Sequence, residues 1–203
     1  MLRPVRLNRR ERMYCHAILS LAGEAENVLD VGGGTGMIAS CLMQKAKRVV
    51  VLDPSEEMLS DVPNGVDKVK GYAQDIPFPD SSFDLALCVD SLHHFPNDFE
   101  GSKHKAVHYA LTEIFRVLRP HGSLVIIDFD TGTLAGKLMS LFEITMSGKD
   151  DLFYSKAGLE GLLRTYVADV EVSRLGWMSY IAKAAKKPGI YRMTDIFINQ
   201  HSK

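Results

Sequence analysis

The stretch NVLDVGGGTGM, residues 27–37, decides the fold of this 203-residue chain. A short apolar run carrying Asp30 leads into four glycines and a threonine, and the helical-looking segment IASCLMQKA, residues 38–46, follows. A strand, a glycine turn and a helix in this order are how α/β proteins hold nucleotide-like ligands. Glycines permit positive φ and a close approach of the backbone to a ligand. The sequence therefore predicts a ligand site at this turn.

The composition is that of an ordinary globular protein, with 46% hydrophobic and 24% charged residues. The length suits one domain with a sizeable core. The net charge of -1 gives no bulk attraction to nucleic acid or to anionic lipid. No apolar run approaches the roughly 20 residues that span a bilayer, and the N-terminus lacks the pattern of a signal peptide. We expect a cytoplasmic protein with no nucleic-acid partner and no membrane span.

The three cysteines, Cys15, Cys41 and Cys88, are odd in number and show no C-x-x-C spacing. Each lies in an apolar context, which is typical of a buried free thiol. Because free thiols persist in reducing compartments, this pattern agrees with a cytoplasmic location. The sequence predicts three buried thiols and no disulfide.

Outward from the glycine turn, apolar runs alternate with segments of helical periodicity. The predicted strands cover residues 27–31, 48–53, 66–72, 83–89 and 123–129, and the predicted helices cover residues 8–22, 35–45, 55–61, 102–118, 134–147 and 156–165. This alternation indicates a parallel sheet with helices on both faces. The last two segments, residues 168–175 and 176–184, alternate apolar with polar residues. That pattern favours an antiparallel pair at one side of the sheet.

Carboxylates stand where ligands bind in such a sheet, at the carboxyl ends of the strands. Asp30, Asp53, Asp90 and Asp128 end four predicted strands, and Asp75 follows another. Asp53 comes about 20 residues after the glycines, where a carboxylate holds the two hydroxyls of a ribose. These positions predict a ligand that contains a nucleoside.

Two details separate a dinucleotide from another adenosine-containing ligand. The dinucleotide pattern G-x-G-x-x-G, started at Gly32, meets Met37 where its third glycine belongs. Asp30, two residues before the glycines, would repel a pyrophosphate but suits a ligand with a positive amine or sulfonium. The pattern therefore favours a cationic ligand over NAD.

With these residues in hand, VLDVGGGTG, residues 28–36, resembles the D-x-G-x-G-x-G motif of class I S-adenosylmethionine-dependent methyltransferases. FPDSSFDLALCVDSLHHF, residues 78–95, and EIFRVLRPHGSLVIIDF, residues 113–129, are similar to segments of the ubiquinone/menaquinone-biosynthesis C-methyltransferase-like (methyltransferase type 11) group. The resemblance implies a Rossmann-like, doubly wound, mostly parallel seven-stranded sheet with an antiparallel C-terminal strand pair. We expect the domain to cover residues 1–187, with residues 188–203 a tail of unknown role.

The resemblance also implies a function, the transfer of a methyl group from S-adenosylmethionine to a small-molecule acceptor. Acceptor specificity is expected from residues 131–157 and from the first 22 residues. Two other functions stay open at this point. One is an NAD-dependent oxidoreductase, and the other is a non-catalytic protein that binds S-adenosylmethionine.

The resemblance assigns cofactor contacts by position. Glycines at the turn would pass close to the methionyl part, Asp53 would hold the ribose, and Asp75 and the Ile76 backbone would bind the adenine. The complete predicted cofactor set is Tyr14, Asp30, Gly32, Gly33, Gly34, Asp53, Pro54, Met58, Gln74, Asp75, Ile76, Val89, Asp90 and His94.

Methyl transfer needs a general base only if the acceptor carries a proton that must leave. His93 and His94 are the predicted catalytic candidates, since an imidazole titrates near neutrality. The other reading of this pair is loop packing and exposure. His104 and His108 stand four residues apart on a predicted helix, but no third ligand accompanies them, so no metal site is expected.

Overall fold

A computed structural model describes residues 7–149 and 151–187 of the chain. The seven strands and six α-helices of this part have the following bounds, in chain order: α1 Arg9–Leu21, β1 Asn27–Val31, α2 Met37–Ser40, β2 Arg48–Asp53, α3 Glu56–Ser60, β3 Asp67–Lys70, β4 Phe83–Val89, a 3₁₀ helix Leu92–Asp98, α4 Lys103–Val117, β5 Leu118–Phe129, α5 Leu134–Ser147, α6 Lys156–Arg164, β6 Asp169–Leu175 and β7 Ser179–Ala185. The predicted tail, residues 188–203, lies outside the described residues.

All seven strands form one sheet in the order β3-β2-β1-β4-β5-β7-β6. The first five strands are parallel, and β7 runs antiparallel to both β5 and β6. The predicted Rossmann-like sheet with an antiparallel C-terminal pair is confirmed. Because the chain proceeds from β1 to one side and from β4 to the other, the strand order switches between these two strands. Ligands bind at the carboxyl end of such a switch.

Two hydrophobic clusters cover the two faces of the sheet, as expected for strands that are buried on both sides. Leu29 and Val31 belong to one cluster, while Val28 belongs to the other. This alternation follows from the period of two along a strand. The first face is covered mainly by α4 and α6, and the second by α1 and α2. Both faces are therefore occupied, and the carboxyl edge remains for a ligand.

The first helix begins where the sequence predicts. The Asn8 side chain accepts a hydrogen bond from the Glu11 N–H at 2.9 Å, and the Glu11 carboxylate accepts one from the Asn8 N–H at 2.6 Å. This reciprocal capping box satisfies two backbone donors that the helix cannot satisfy itself. Tyr14 and Ile18 are buried on the inner face of the helix. The capping box thus defines the N-terminal end of α1, which precedes β1.

The prediction of three free thiols was wrong. Cys15 of α1 and Cys41, just beyond α2, form a disulfide, whereas Cys88 is a buried free thiol. The packing of α1 against α2 brings together two cysteines that are 26 residues apart in sequence, which no local pattern reveals. Of the three cysteines, only Cys88 therefore still agrees with the predicted reducing compartment.

Three other element predictions need correction. The helix after the glycine turn is shorter than predicted, because after Ser40 the chain continues in turns with bonds such as Leu42 N–H to Ala39 O. The predicted loop at residues 91–98 contains a 3₁₀ helix. Strand β5 begins at Leu118 rather than at residue 123, and a register shift opposite β4 absorbs the additional residues. Within the described residues, no helix has both the length and the apolar character needed to cross a membrane.

Candidate cofactor and acceptor site

The glycine turn needs glycine for two physical reasons. Gly32, Gly34 and Gly36 have φ values of 68°, 54° and 69°, which residues with a side chain rarely adopt. A Cβ atom added at Gly32 would lie 2.7 Å from the Ser91 Cβ, and one at Gly33 would lie 2.7 Å from the Asp30 Cγ. The turn is therefore packed against its own strand on one side and against the end of β4 on the other.

A cavity of about 380 Å³ opens at this turn, on the carboxyl side of the sheet. This volume is in the range of small-molecule sites. Seven residues of the predicted cofactor set line it: Gly32, Gly34, Asp53, Pro54, Met58, Gln74 and His94. Segments that are far apart in sequence thus meet at one cavity.

The Asp53 carboxylate is held at the cavity by two backbone hydrogen bonds. Its Oδ2 accepts a hydrogen bond from the Gly34 N–H at 2.9 Å, and its Oδ1 accepts one from the Ser55 N–H at 2.9 Å. Each carboxylate oxygen has a further lone pair, so the group can still accept from two ribose hydroxyls. The end of β2 therefore carries a pre-oriented acceptor for a diol.

Asp30 lies beneath the glycine turn rather than on the cavity wall. The side chain is 1% exposed, and its Oδ2 has no hydrogen-bond partner among the described residues. Burial, together with the nearby Asp53, raises the pKa of Asp30 to about 7. A buried carboxyl with an unsatisfied oxygen is costly unless a donor or a cation reaches it. A ligand ammonium at the turn would supply that charge.

Six further residues of the predicted set do not line the cavity: Gly33, Asp75, Ile76, Val89, Asp90 and Tyr14. The predicted donation from Ile76 to adenine meets a competitor, because the Ile76 N–H donates to the Glu113 carboxylate at 3.0 Å. Asp75 is exposed, and its own N–H closes a turn onto the Tyr72 carbonyl. The Ile76 N–H is therefore occupied within the protein, whereas the Asp75 carboxylate is exposed to solvent.

Asp90 and Tyr14 belong instead to a neighbouring polar group around Arg10. The Arg10 guanidinium donates to the Asp90 Oδ2, and it stands over the rings of Tyr14 and Phe129 at 5.3 and 5.5 Å. Burial raises the pKa of Asp90 to about 6, although Arg10 acts in the opposite direction. Burial likewise raises the pKa of Tyr14 to about 12. Arg10 and Tyr14 line a second cavity, of about 420 Å³, beside Trp177.

Each of the two predicted catalytic histidines is hydrogen-bonded to a carboxylate. His93 Nδ1 lies 2.8 Å from Asp128 Oδ1, and His94 Nδ1 lies 2.9 Å from Asp151 Oδ1. Burial opposes a charge on His93, but Asp128 outweighs it and raises the pKa of the ring. The two rings are adjacent, with centroids 4.0 Å apart. In both pairs the carboxylate orients the ring and leaves Nε2 for another partner.

Sequence reasoning missed Arg10, Glu113 and Asp151. The sequence around Arg10 indicates only a solvated, arginine-rich helix start. Asp151 lies in a segment with no strand end or motif to mark it, yet the Leu152 N–H donates to the His93 carbonyl and folds that segment back onto the 3₁₀ helix. A carboxylate near a buried histidine is a signal only when the fold is known.

The comparisons with known proteins agree with this geometry. Residues 29–126 match the family described as "Methyltransferase domain". The chain is 31% identical over 109 residues to an uncharacterized methyltransferase, YcgJ, of Bacillus subtilis, a match that covers 50% of this chain and 40% of YcgJ. It is 30% identical over 143 residues to the ubiquinone/menaquinone biosynthesis C-methyltransferase UbiE of Pseudomonas entomophila, covering 64% of this chain and 52% of UbiE. In these sequence alignments the chain thus spans about half the length of the two relatives, or less.

Two solved structures share the fold. One is a SAM-dependent methyltransferase of Thermotoga maritima, described as a possible histamine N-methyltransferase, with a TM-score of 0.71, 24% identity and coverage of 87% and 89% of the two chains. The other is YcgJ of Bacillus subtilis, with a TM-score of 0.67, 16% identity and coverage of 88% of this chain and 100% of YcgJ. At these identities the likeness shows the fold alone.

Proposed function

Because this chain carries the domain of the class I S-adenosylmethionine-dependent methyltransferases, of the type shared with UbiE, we propose that it methylates a small-molecule acceptor. The observation that carries the proposal is the cavity between the glycine turn and Asp53, with the buried Asp30 beneath it. A ribose, an ammonium and an adenine match this arrangement of carboxylates and apolar side chains. The NAD-dependent alternative is not favoured, since Asp30 would oppose a pyrophosphate.

When bound, S-adenosylmethionine supplies an electrophilic methyl group: the acceptor lone pair bonds to the methyl carbon, the carbon–sulfur bond breaks, and its electron pair returns to sulfur. The protein positions the acceptor and excludes water. Asp53 would hold the ribose, and the glycine turn would let the backbone approach the methionyl part. Met58 and Pro54, which line the cavity, would pack beside the adenine. His94, at the cavity wall, is oriented by Asp151 and would be available to an acceptor bound there.

Calorimetric titration with S-adenosylhomocysteine and, separately, with NAD tests the cofactor part of the proposal. We expect binding of S-adenosylhomocysteine and none of NAD. Asp53→Ala should weaken S-adenosylhomocysteine at least about tenfold, because the ribose loses both acceptor oxygens. Asp67→Ala is the matched control, since Asp67 is an exposed strand carboxylate paired with Arg48 at 2.8 Å and away from the cavity. Binding of NAD in preference to S-adenosylhomocysteine would contradict the proposal.

A methylation screen tests the catalytic part. Small amines, phenols, thiols and activated carbon acids are incubated with S-adenosylmethionine, and the release of S-adenosylhomocysteine is followed by mass spectrometry. We expect turnover with one of these classes. Tight cofactor binding without turnover on any class would favour a non-catalytic binding protein instead.

A further inference from the structure

Three potential metal ligands converge beside the cofactor cavity. One ligand atom each from His93, His94 and Glu143 lies within 4.8 Å of the other two. His93 and His94 come from the 3₁₀ helix after β4, while Glu143 comes from α5. Sequence spacing could not reveal this group, because its third member is about 50 residues away.

The two histidines are already prepared as ligands. The side chains of His93 and Asp128 are 2% and 3% exposed, and the Asp151 side chain that holds His94 is 0% exposed. Histidines that bind metals almost always donate their other ring nitrogen to a carboxylate in this way, which orients the ring. Phe153 stacks on the His93 ring at 4.3 Å and limits its rotation further.

The second ring nitrogen of His93, Nε2, lacks a partner in the part of the chain that the structure describes. His93 Nε2 is buried and has no hydrogen-bond partner among the described residues. A buried polar atom without a partner is costly, and such atoms in a native fold call for an explanation. A cation beside this nitrogen would satisfy it.

The local charge also favours a cation. Asp128 and Asp151 are bound to the two rings, and Glu143 is the third member of the group. Arg10 is paired with Asp90 and its charge also interacts with that of Glu143, so it offsets part, but not all, of the negative charge around the group. His94 and Glu143 are only partly buried, which provides a route for an ion from solvent.

We propose that His93, His94 and Glu143 bind a divalent transition-metal ion, Zn²⁺ being the probe of choice. Two imidazoles and one carboxylate are the ligand set of several catalytic zinc sites, and they leave a fourth position open. Zinc ligands lie about 2.0–2.1 Å from the ion and hence roughly 3.3 Å from each other, so the group must close slightly on binding. His94 and Glu143 are the two partly buried members of the group, so the adjustment would fall on their side chains.

The proposal rests on the proposed function in what the ion would do. His94 also lines the cofactor cavity, so the open position would face the methyl donor. An acceptor hydroxyl or thiol bound there would lose its proton to solvent more readily, and its oxygen or sulfur would attack the methyl carbon. This places the metal in the role that the sequence assigned to a histidine base.

Zinc binding by the chelator-stripped full chain tests the site without any methylation assay. Equilibrium dialysis with metal analysis should give about one zinc per chain, and Co²⁺ should give a visible absorption band from mixed nitrogen and oxygen ligands. Glu143→Gln and His94→Ala should each weaken zinc at least about tenfold. Glu143 is partly exposed on α5, so its variant removes the charge without disturbing the core.

The matched controls are Glu160→Gln on α6 and His104→Ala on α4, which lie outside the group and should bind zinc as the unaltered chain does. Wild-type protein that takes up no zinc, or equal uptake by Glu143→Gln and the unaltered chain, would overturn the metal site. Cofactor titration on the same zinc-free sample separates the proposals. Cofactor binding without zinc binding overturns only the metal site, and zinc binding without cofactor binding overturns only the proposed function.

Discussion

At the scale of single residues, the site depends on a few atoms that tolerate no substitute. Gly32 lies at a φ of 68° with the Ser91 side chain against its α-carbon. Asp30 is buried with one oxygen unsatisfied. The proposed function explains both costs, because the turn would let the backbone approach a ligand and the carboxylate would bind a cation.

Gly32→Ala should lower the free energy of unfolding by about 2 kcal/mol, because the new Cβ is strained by φ and meets Ser91. It should also abolish cofactor binding, since the turn must move. Gly161→Ala is the matched control, because Gly161 is an exposed helical glycine with nothing near an added Cβ. This substitution should raise the free energy of unfolding by about 0.5–1 kcal/mol. Thermal unfolding of both variants checks the pair. Equal effects of the two substitutions would remove the argument for a tightly packed turn.

The buried Asp30 should make cofactor binding release a proton. With a pKa of about 7, the Asp30 carboxyl of the folded, ligand-free chain keeps its proton between about pH 4 and 7, where an ordinary carboxyl has lost it. An ammonium bound beside it favours the charged form, so the proton leaves and affinity rises with pH towards 7. Calorimetry of S-adenosylhomocysteine binding at pH 6, in two buffers of different ionisation enthalpy, measures the release.

Asp30→Asn should lose that proton release, because an amide does not titrate. The raised pKa of Asp30 also affects the stability of the fold, which should change with pH in the opposite direction to the affinity for the cofactor. Since the folded chain binds a proton that the unfolded chain has lost, stability should decrease as pH rises from about 4 to 7, and the Asn variant should show less of this decrease. An unchanged pH profile in Asp30→Asn would contradict the raised pKa.

At the scale of elements, α1 is held in place by three different kinds of contact. The Arg10–Asp90 ion pair joins it to the end of β4, and Tyr14 Oη lies 3.2 Å from Ser179 Oγ at the start of β7. The disulfide from Cys15 to Cys41 ties the helix to the segment after α2. These contacts come from three different parts of the fold, so α1 is a fixed wall of the second cavity, beside Trp177.

Removing the disulfide should destabilise the chain without changing its fold. For a separation of 26 residues, loop closure predicts about 3–4 kcal/mol of stabilisation. The Cys15→Ser/Cys41→Ser variant should therefore unfold several degrees lower than the oxidised chain. Dithiothreitol should lower the melting temperature of the unaltered chain and leave the double variant unchanged. A wild-type melting temperature that ignores the reductant would contradict the bond.

At the scale of the whole molecule, the sheet was predictable because its signals are local. Buried apolar runs, proline and glycine punctuation and strand-end carboxylates each lie within one short segment, and a repeating order of strand and helix admits few topologies. Thus the sequence alone suffices to place the glycine turn and Asp53 at one edge of the sheet. The antiparallel end of the sheet followed from the alternation in residues 168–184.

The rest was not predictable because it depends on contacts between distant segments. His94 meets Asp151, Cys15 meets Cys41, and the Ile76 N–H meets Glu113, and no short pattern links the two partners of any of these pairs. Such pairs are set by how helices pack on the finished sheet. The meeting of the glycine turn and Asp53 at one cavity could therefore be predicted from sequence, whereas the pairing of His94 with Asp151 and of Ile76 with Glu113 required the structure.

The domain boundary predicted after residue 187 can be tested on the whole chain. Strand β7 ends at Ala185, and the Lys186 N–H still donates to the Gly122 carbonyl at 2.9 Å. A chain that ends at Lys187 should therefore keep the sheet, the melting temperature and the affinity for S-adenosylhomocysteine. Insolubility or lost affinity after this truncation would show that the domain extends further.

The bond between Cys15 and Cys41 also makes the chain a covalent ring through the cofactor turn. Residues 32–36 lie inside that ring, between the two cysteines. A protease that nicks the backbone anywhere in the ring cannot release the N-terminal fragment, which stays attached through sulfur. On a gel without reductant the nicked protein would migrate as one species, and with reductant as two. The parts of the chain on either side of the glycine turn would thus stay attached to each other after a peptide bond between the two cysteines is cut.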